Sequence, residues 1–244
     1  MPEYVYGIVD CDARAPSVHG IADAPVRLIA GETACALVSD VPDEEVQLGR
    51  DAMLAHARVL EQAMAHGTVL PMRFGVLMAG EEEIRERLLD DHAPELSDQL
   101  ERFQGHVEMS VRGVYEEQAL MREIVSEDPR IASLRELVRR HPEDATYHRR
   151  IELGELVARA VEDKRDDDAI RIVDALAPFA AAYEVGTPAH ERVVVNASFL
   201  VAREQLDRFD AALDQIAQLQ ADRIRFKCTG PLPPHSFVEL VGSG

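Results

Sequence analysis

The chain has 244 residues, 46% of them hydrophobic, and a formal net charge of −19. A chain of this length can bury a large core without disulfides and suits two domains of ordinary size. An acidic surface repels phosphate groups, which argues against general binding to nucleic acid or anionic lipid. The charge serves either solubility or attraction to a basic partner.

Its three cysteines, Cys11, Cys35 and Cys228, are far apart in the sequence, and no two have the spacing of metal ligands. We therefore expect reduced thiols in a cytoplasmic protein. The first residues lack a basic region followed by an apolar one, and no apolar run approaches the roughly 18 residues of a membrane span. We expect a protein that is neither exported nor membrane-spanning.

The first half mixes short strands with helices. The apolar run 4–9 is typical of a strand buried on both faces, and 26–30 with 33–38 predicts a hairpin turning at Gly31-Glu32. Asp43 can cap a helix, one face of which is formed by Val46, Met53, Ala57, Leu60 and Met64. A strand at Leu70–Phe74 and a second helix from Glu81 follow. This arrangement predicts an α+β sandwich of the ferredoxin-like kind over residues 1–104.

The second half predicts an α+β domain with long helices over residues 105–244. Alternation in 106–112 indicates a half-buried strand with Glu108 on the polar side. Helices fill about 115–182, with breaks near Asp128-Pro129 and His141-Pro142. The charged stretch Glu162 to Asp168 indicates either one solvated projecting helix or a break between two. A strand at 193–201, a helix from Leu206 and a strand at 224–228 complete the pattern.

Few residues suggest catalysis, and we expect no catalytic, cofactor or metal site. His56 and His66 are ten residues apart, and His141 and His148 lack a patterned partner, so all four are interpreted as surface or capping residues. The run Glu81–Glu83 suits a helix N-terminus, and Asp166–Asp168 suits a solvated face. The sequence contains no phosphate-binding glycine loop and no GxSxG nucleophile turn.

The segment Thr68-Val69-Leu70-Pro71-Met72-Arg73-Phe74-Gly75 is the most informative part of the chain. Its residues predict a strand that leads into a tight turn. It resembles the signature block of the gas vesicle F/L family. Three further blocks are similar to that family in the same order: Tyr4 to Val9, Asn196 to Val201, and Thr229 to Val238.

The resemblance implies a ferredoxin-like N-terminal domain followed by an α+β domain. It also implies a structural accessory protein of gas vesicles that is not an enzyme and needs no cofactor. Such a protein would be cytoplasmic, associated with the vesicle, and bound to the small hydrophobic shell protein or to other accessory proteins. Two alternatives remain open: a small-molecule-binding or catalytic protein on a ferredoxin-like scaffold, and a homo-oligomeric scaffold.

The candidate partner-binding residues all lie in the family blocks: Pro71, Met72, Arg73, Phe74, Gly75, Asn196, Phe199, Gly230, Pro231, Pro233, Pro234 and Phe237. Arg73 is expected either to pair with a carboxylate across its domain or to contact a partner. Asn196 is expected to be satisfied by local hydrogen bonds. The proline-rich segment from Pro231 is either a rigid strap that packs Phe237 and Val238 onto the body or a docking strip. The family commonly has aromatic residues where this chain has Leu232 and His235, which argues against a role in aromatic stacking there.

Overall fold

The computed structural model describes residues 2–42 and 49–239 and shows an α+β protein with two separate sheets. Contacts divide the chain into a first unit, Met1–Glu108 with Gly230–Gly244, and a second unit, Met109–Thr229. The sequence instead predicts a cut near residue 104 and assigns the C-terminal segment to the second domain. That segment lies in the first unit because Glu108 holds Ser236 and Phe237 is buried. Independent folding of either part stays a prediction.

The sheet of the first unit contains five strands: β1 (Glu3–Asp10), β2 (Arg27–Ala30), β3 (Ala34–Asp40), β4 (Val69–Pro71) and β5 (Leu77–Met78). The order is β2-β3-β1-β4, with β5 also paired to β1, and the neighbours run antiparallel. The β1–β2 and β3–β4 connections each skip one strand, which is the split arrangement of the ferredoxin-like fold. The first connection contains a 3₁₀ turn (Ile21–Asp23).

Helices pack on this sheet because the inner strands are apolar on both faces. They are α1 (Arg50–Met64), α2 (Glu81–Glu83) and α3 (Ala93–Arg102), and α2 continues directly as a π-helical stretch (Ile84–Asp90). Helix α1 contacts β1 and β4, and α3 contacts β1, β3 and β4.

The predicted buried face of α1 is partly wrong. Leu60 and Met64 are buried, but Met53 is 56% exposed and Ala57 is also exposed. The observed buried face contains Ala55, His56, Val59, Leu60, Ala63 and Met64. The hydrophobic pattern misplaced this face because one of its members is a histidine. The predicted cap Asp43 and the face residue Val46 lie outside the described residues.

The second sheet has the order β7-β8-β6-β9. Its strands are β6 (His106–Tyr115), β7 (Ala182–Val185), β8 (Val193–Ala202) and β9 (Ile224–Leu232), and β6 and β9 extend into the first unit. Strand β7 was not predicted, since it is short and mostly exposed. The helices are α4 (Glu117–Glu127), α5 (Pro129–Arg140), α6 (Glu143–Leu176) and α7 (Leu206–Leu219), with 3₁₀ turns at Ala177–Phe179 and Arg203–Gln205.

Neither interpretation of the charged stretch fits fully, because the helix is unbroken but packs against other elements instead of projecting into solvent. Helix α6 is continuous over 34 residues, with α4 and α5 packed against it and Ile172 and Leu176 buried. Both predicted breaks are confirmed. Asp128 caps α5 by accepting the N–H of Arg130 at 2.8 Å, and Pro129 takes the first turn, where its missing N–H has no consequence. No helix in the described ranges is long and apolar enough to cross a membrane.

Candidate functional site

The signature segment forms an interrupted strand beside β1. Strand β4 ends at Pro71, and the N–H of Met72 still donates to the carbonyl of Tyr6 at 2.9 Å. The chain then turns at Phe74-Gly75, where Gly75 has φ 96°, and pairs with β1 again at β5. The predicted strand Leu70–Phe74 is therefore too long, because the backbone leaves the sheet after Met72. A glycine is favoured at that positive φ.

The hydroxyl of Tyr4 connects this turn to α1. It accepts the N–H of Gly75 at 2.9 Å and is hydrogen-bonded to Nδ1 of His56, also at 2.9 Å. Because a ring N–H of the neutral His56 donates to the backbone of Met72, Nδ1 accepts the proton of Tyr4. Burial lowers the pKa of His56 to about 4, and the neighbouring charge of His235 acts in the same direction. His56 is therefore a neutral hydrogen-bond acceptor inside the core at physiological pH.

The two rings that share this hydrogen bond pack against two others. We call the four residues Tyr4, Tyr6, His56 and Phe74 the His56 cluster. The ring of Phe74 lies edge-on to His56, with centroids 5.7 Å apart, and Tyr4 stacks at an angle on Tyr6 at 4.9 Å. Tyr6 accepts the N–H of Ile21 at 2.7 Å and donates to Ser39. Both tyrosine hydroxyls are thus engaged in ordering backbone segments. The cluster is a packed part of the core in which both tyrosine hydroxyls and Nδ1 of His56 are hydrogen-bonded.

The C-terminal strap, residues 231–239, belongs to the same unit. Glu108 is 4% exposed and accepts both the N–H and the hydroxyl of Ser236, each at 2.8 Å. Phe237 is buried, and Gln99 exchanges two hydrogen bonds with the backbone of Glu239. Glu108 was predicted on a polar strand face, but it is a buried anchor. The strap interpretation thus fits the geometry better than the docking strip.

The second unit contains a buried ionic network. Asp168 accepts the hydroxyl of Tyr115 and Nη2 of Arg223, each at 2.5 Å, and Arg223 also donates to Glu123. Lys164 binds the other oxygen of Glu123 at 2.6 Å. Hydrogen bonds to Arg223 and Lys164 lower the pKa of Glu123 against the opposing effect of burial. The expectation that Asp168 lies on a solvated face is wrong, since it is 3% exposed.

One open cleft of about 750 Å³ lies at the start of α4 and is lined mainly by charged residues. Its ionic groups pair with one another: Arg192 lies 3.4 Å from Glu117, and Arg225 binds Glu116. This mutual pairing leaves few groups to converge on a substrate. Within 2–42 and 49–239, no three His, Cys, Asp or Glu side chains are grouped as metal ligands.

Comparison with known proteins gives the family. Residues 3–239 match the family model described as gas vesicle synthesis protein GvpL/GvpF. The chain belongs to the GvpL/GvpF family. It is 35% identical to gas vesicle protein F of Streptomyces sp. (strain CB03234), over 98% of this chain and 100% of that protein. It is 25% identical to gas vesicle protein F of Dolichospermum flosaquae, over 98% of each.

A solved structure supports the fold. The crystal structure of the gas vesicle protein GvpF from Anabaena sp. PCC7120 superposes with a TM-score of 0.86 at 22% sequence identity. The alignment covers 98% of this chain and 99% of that one. The α+β class predicted from sequence is therefore confirmed, as is the resemblance to the gas vesicle F/L family.

The structure brings several family-block residues of this GvpL/GvpF chain into one unit. Pro71 and Met72 are buried in or beside β4, and Phe74 and Gly75 take part in the His56 cluster. Arg73 is exposed and makes no ion pair with a carboxylate of the described residues. Of its two predicted roles, the pair with a carboxylate across its own domain is therefore wrong, and the contact with a partner stays a prediction.

The remaining candidates have different surroundings. Asn196 is half-buried in β8 next to Gly186, and Phe199 is a core residue whose ring lies 5.3 Å from Phe209, both in the second unit. Gly230 precedes a cis peptide bond to Pro231, which is exposed, whereas Pro233 and Pro234 are buried.

The sequence analysis did not predict that Tyr4 and His56 form a buried hydrogen-bonded pair. A histidine four residues before the buried Leu60 of α1 was the available signal, because that spacing places both on one helix face.

Proposed function

We propose that this GvpL/GvpF chain is a non-enzymatic accessory protein that binds the shell protein or other vesicle proteins during gas vesicle formation in the cytoplasm. Family membership across residues 3–239 carries the proposal, because it covers both units and all four sequence blocks. The relatives it matches from end to end bear the name gas vesicle protein F.

The chemistry of the interior supports a binding role. Most buried polar side chains in the described ranges have partners; one oxygen of Glu3 lacks one, while its other oxygen pairs with Arg27 at 2.8 Å. His56, Glu108 and Asp168 are each engaged in internal hydrogen bonds. An active site needs such groups to face a pocket with open positions. The alternative of a catalytic or small-molecule-binding protein is therefore less well supported.

A shell subunit that faces gas must be apolar on that side, so it would aggregate before assembly unless another protein covers it. Of the surfaces considered from sequence, the turn carrying Arg73 is exposed, and α6 presents Tyr147, Ile151 and Ile170 at 64%, 46% and 60% exposure. The strap directs Phe237 inward. The signature turn and the outer face of α6 are thus the better candidates for contact with a partner.

Co-expression with the shell protein, followed by affinity capture of this chain, tests the proposal. Wild-type protein should retain the shell protein or another vesicle protein. Arg73→Ala and the pair Tyr147→Ser with Ile151→Ser test the two surfaces, and Glu155→Ala is the matched control on an exposed position of α6. If no vesicle protein is captured by the folded wild-type chain, the binding role is wrong. If capture survives both variants, the contact surface lies elsewhere.

A further inference from the structure

Two of the three cysteines, expected from sequence to be isolated, are neighbours in the fold. Cys35 lies in β3 opposite Val9 of β1, and Cys11 follows the end of β1 two residues beyond Val9. Residues two apart on a strand share a face, so both thiols lie on the same side of the sheet. Their sulfur atoms are 3.3 Å apart.

The two thiols differ in access. Cys11 is exposed in the turn after β1, whereas Cys35 is 3% exposed. A disulfide needs the sulfur atoms at about 2.05 Å, so they must approach by roughly 1.3 Å. A turn residue can make such a movement, because it is not held in the ladder of the sheet.

We propose that Cys11 and Cys35 form a redox-modifiable dithiol that closes to an intramolecular disulfide when a small-molecule disulfide reacts with Cys11. The proposal is independent of the binding role above. Burial and the neighbouring Cys11 raise the pKa of Cys35 to about 12, so Cys35 is a poor first nucleophile. Exposed Cys228 has no thiol partner among the described residues and serves as an internal control.

The reaction has two exchange steps, with oxidised glutathione as the oxidant. The Cys11 thiolate, after losing its proton to water, attacks one sulfur of oxidised glutathione, and the other glutathione leaves as a thiolate that takes up a proton. Cys35 then loses its proton to solvent and attacks Sγ of Cys11, which releases the second glutathione. Two electrons pass from the cysteine pair to oxidised glutathione, which ends as two reduced molecules.

Peptide mapping of the full chain tests this directly. After incubation with oxidised glutathione and alkylation of free thiols, trypsin should cut at Arg14, Arg27, Arg50 and Lys227. The expected product is a linked pair of peptides 1–14 and 28–50, about 2 Da lighter than their sum, with peptide 228–244 alkylated or glutathionylated but not linked to either. Cys228→Ser should still give the linked pair, and Cys11→Ser should not.

Thermal melting gives a second readout. The disulfide closes a 25-residue loop from Cys11 to Cys35, which should raise the Tm of the oxidised protein by about 5 °C or more. Cys11→Ser replaces an exposed residue and should fold normally without that shift. Alkylation of both Cys11 and Cys35 after oxidation, or a glutathione adduct on Cys11 that never resolves, would overturn the proposal.

Discussion

The guanidinium of Arg223, in the turn just before β9, lies 2.5 Å from the carboxylate of Asp168 in α6, and the two residues are 55 positions apart in the chain. Their side chains are 20% and 4% exposed, so the pair is largely removed from water. Tyr115 at the end of β6 donates to the same carboxylate. One carboxylate thus connects the longest helix of the second unit to the end of β6 and to the turn that leads into β9.

Asp168→Asn should destabilise the protein by about 3 kcal/mol, because it removes the negative charge from a buried site and leaves the partly buried Arg223 with Glu123 as its remaining carboxylate partner. The free energy of unfolding in urea measures the effect. Asp167→Asn is the matched control, since Asp167 is 72% exposed, and it should change stability by no more than about 0.5 kcal/mol. Equal effects of the two variants would contradict the assigned role of Asp168.

This network also shows where sequence reasoning stops. The run Asp166–Asp168 is uniformly acidic, so its composition predicts a solvated face. Nothing in the local sequence distinguishes Asp168, which is buried, from its two exposed neighbours. Its partner Arg223 lies in the turn just before a predicted strand, but a contact between residues 55 positions apart leaves no periodic pattern in the sequence. The helix breaks at Pro129 and Pro142 were predictable because proline acts on its own local backbone.

The same distinction applies to the family blocks. The strand, turn and glycine of residues 69–75 follow from local chemistry, and the resemblance gave the family. The burial of His56, the anchoring of the strap by Glu108 and the approach of Cys11 to Cys35 depend on tertiary contacts between distant segments. Hydrophobic periodicity does not record such contacts, so these residues were interpreted as surface, polar-face or isolated groups.

Gly7 tests the close approach of β1 to the signature segment. An added Cβ would lie 2.8 Å from the backbone carbonyl oxygen of Leu70, and a backbone atom in β4 cannot move aside as a side chain can. Gly7→Ala should therefore destabilise the protein by about 1–3 kcal/mol, measured by urea unfolding. Gly67→Ala is the control, because nothing lies within 4 Å of its added Cβ. A neutral Gly7→Ala variant would mean that the two strands separate easily.

Glu108→Ala should release the strap. It removes the carboxylate that accepts the N–H and the hydroxyl of Ser236, and the loss of these two part-buried hydrogen bonds to a charged group should cost about 1–3 kcal/mol. Hydrogen exchange of the peptide covering residues 230–239 should become faster, while exchange in β3 should not change. Glu101→Ala, at an exposed position of α3, is the control. Unchanged protection of the strap in Glu108→Ala would show that the packing of Phe237 and the hydrogen bonds between Gln99 and Glu239 hold it without Glu108.

The buried histidine predicts a specific loss of stability in mild acid. His56 has a folded-state pKa of about 4, below its ordinary value of 6.5, so the unfolded chain binds a proton more readily than the native state. The stabilisation is fully present above pH 6.5 and is lost as the pH falls from 6.5 towards 4, amounting to about 3 kcal/mol over the whole window.

His56→Gln should flatten the stability profile between pH 6.5 and 5, where most carboxylates remain ionised. His66→Gln, on an exposed position beyond α1, should keep the wild-type slope. Identical slopes for wild type and His56→Gln in urea titrations would show that this histidine is not the source, and the hydrogen bond from Tyr4 would then have to tolerate an imidazolium.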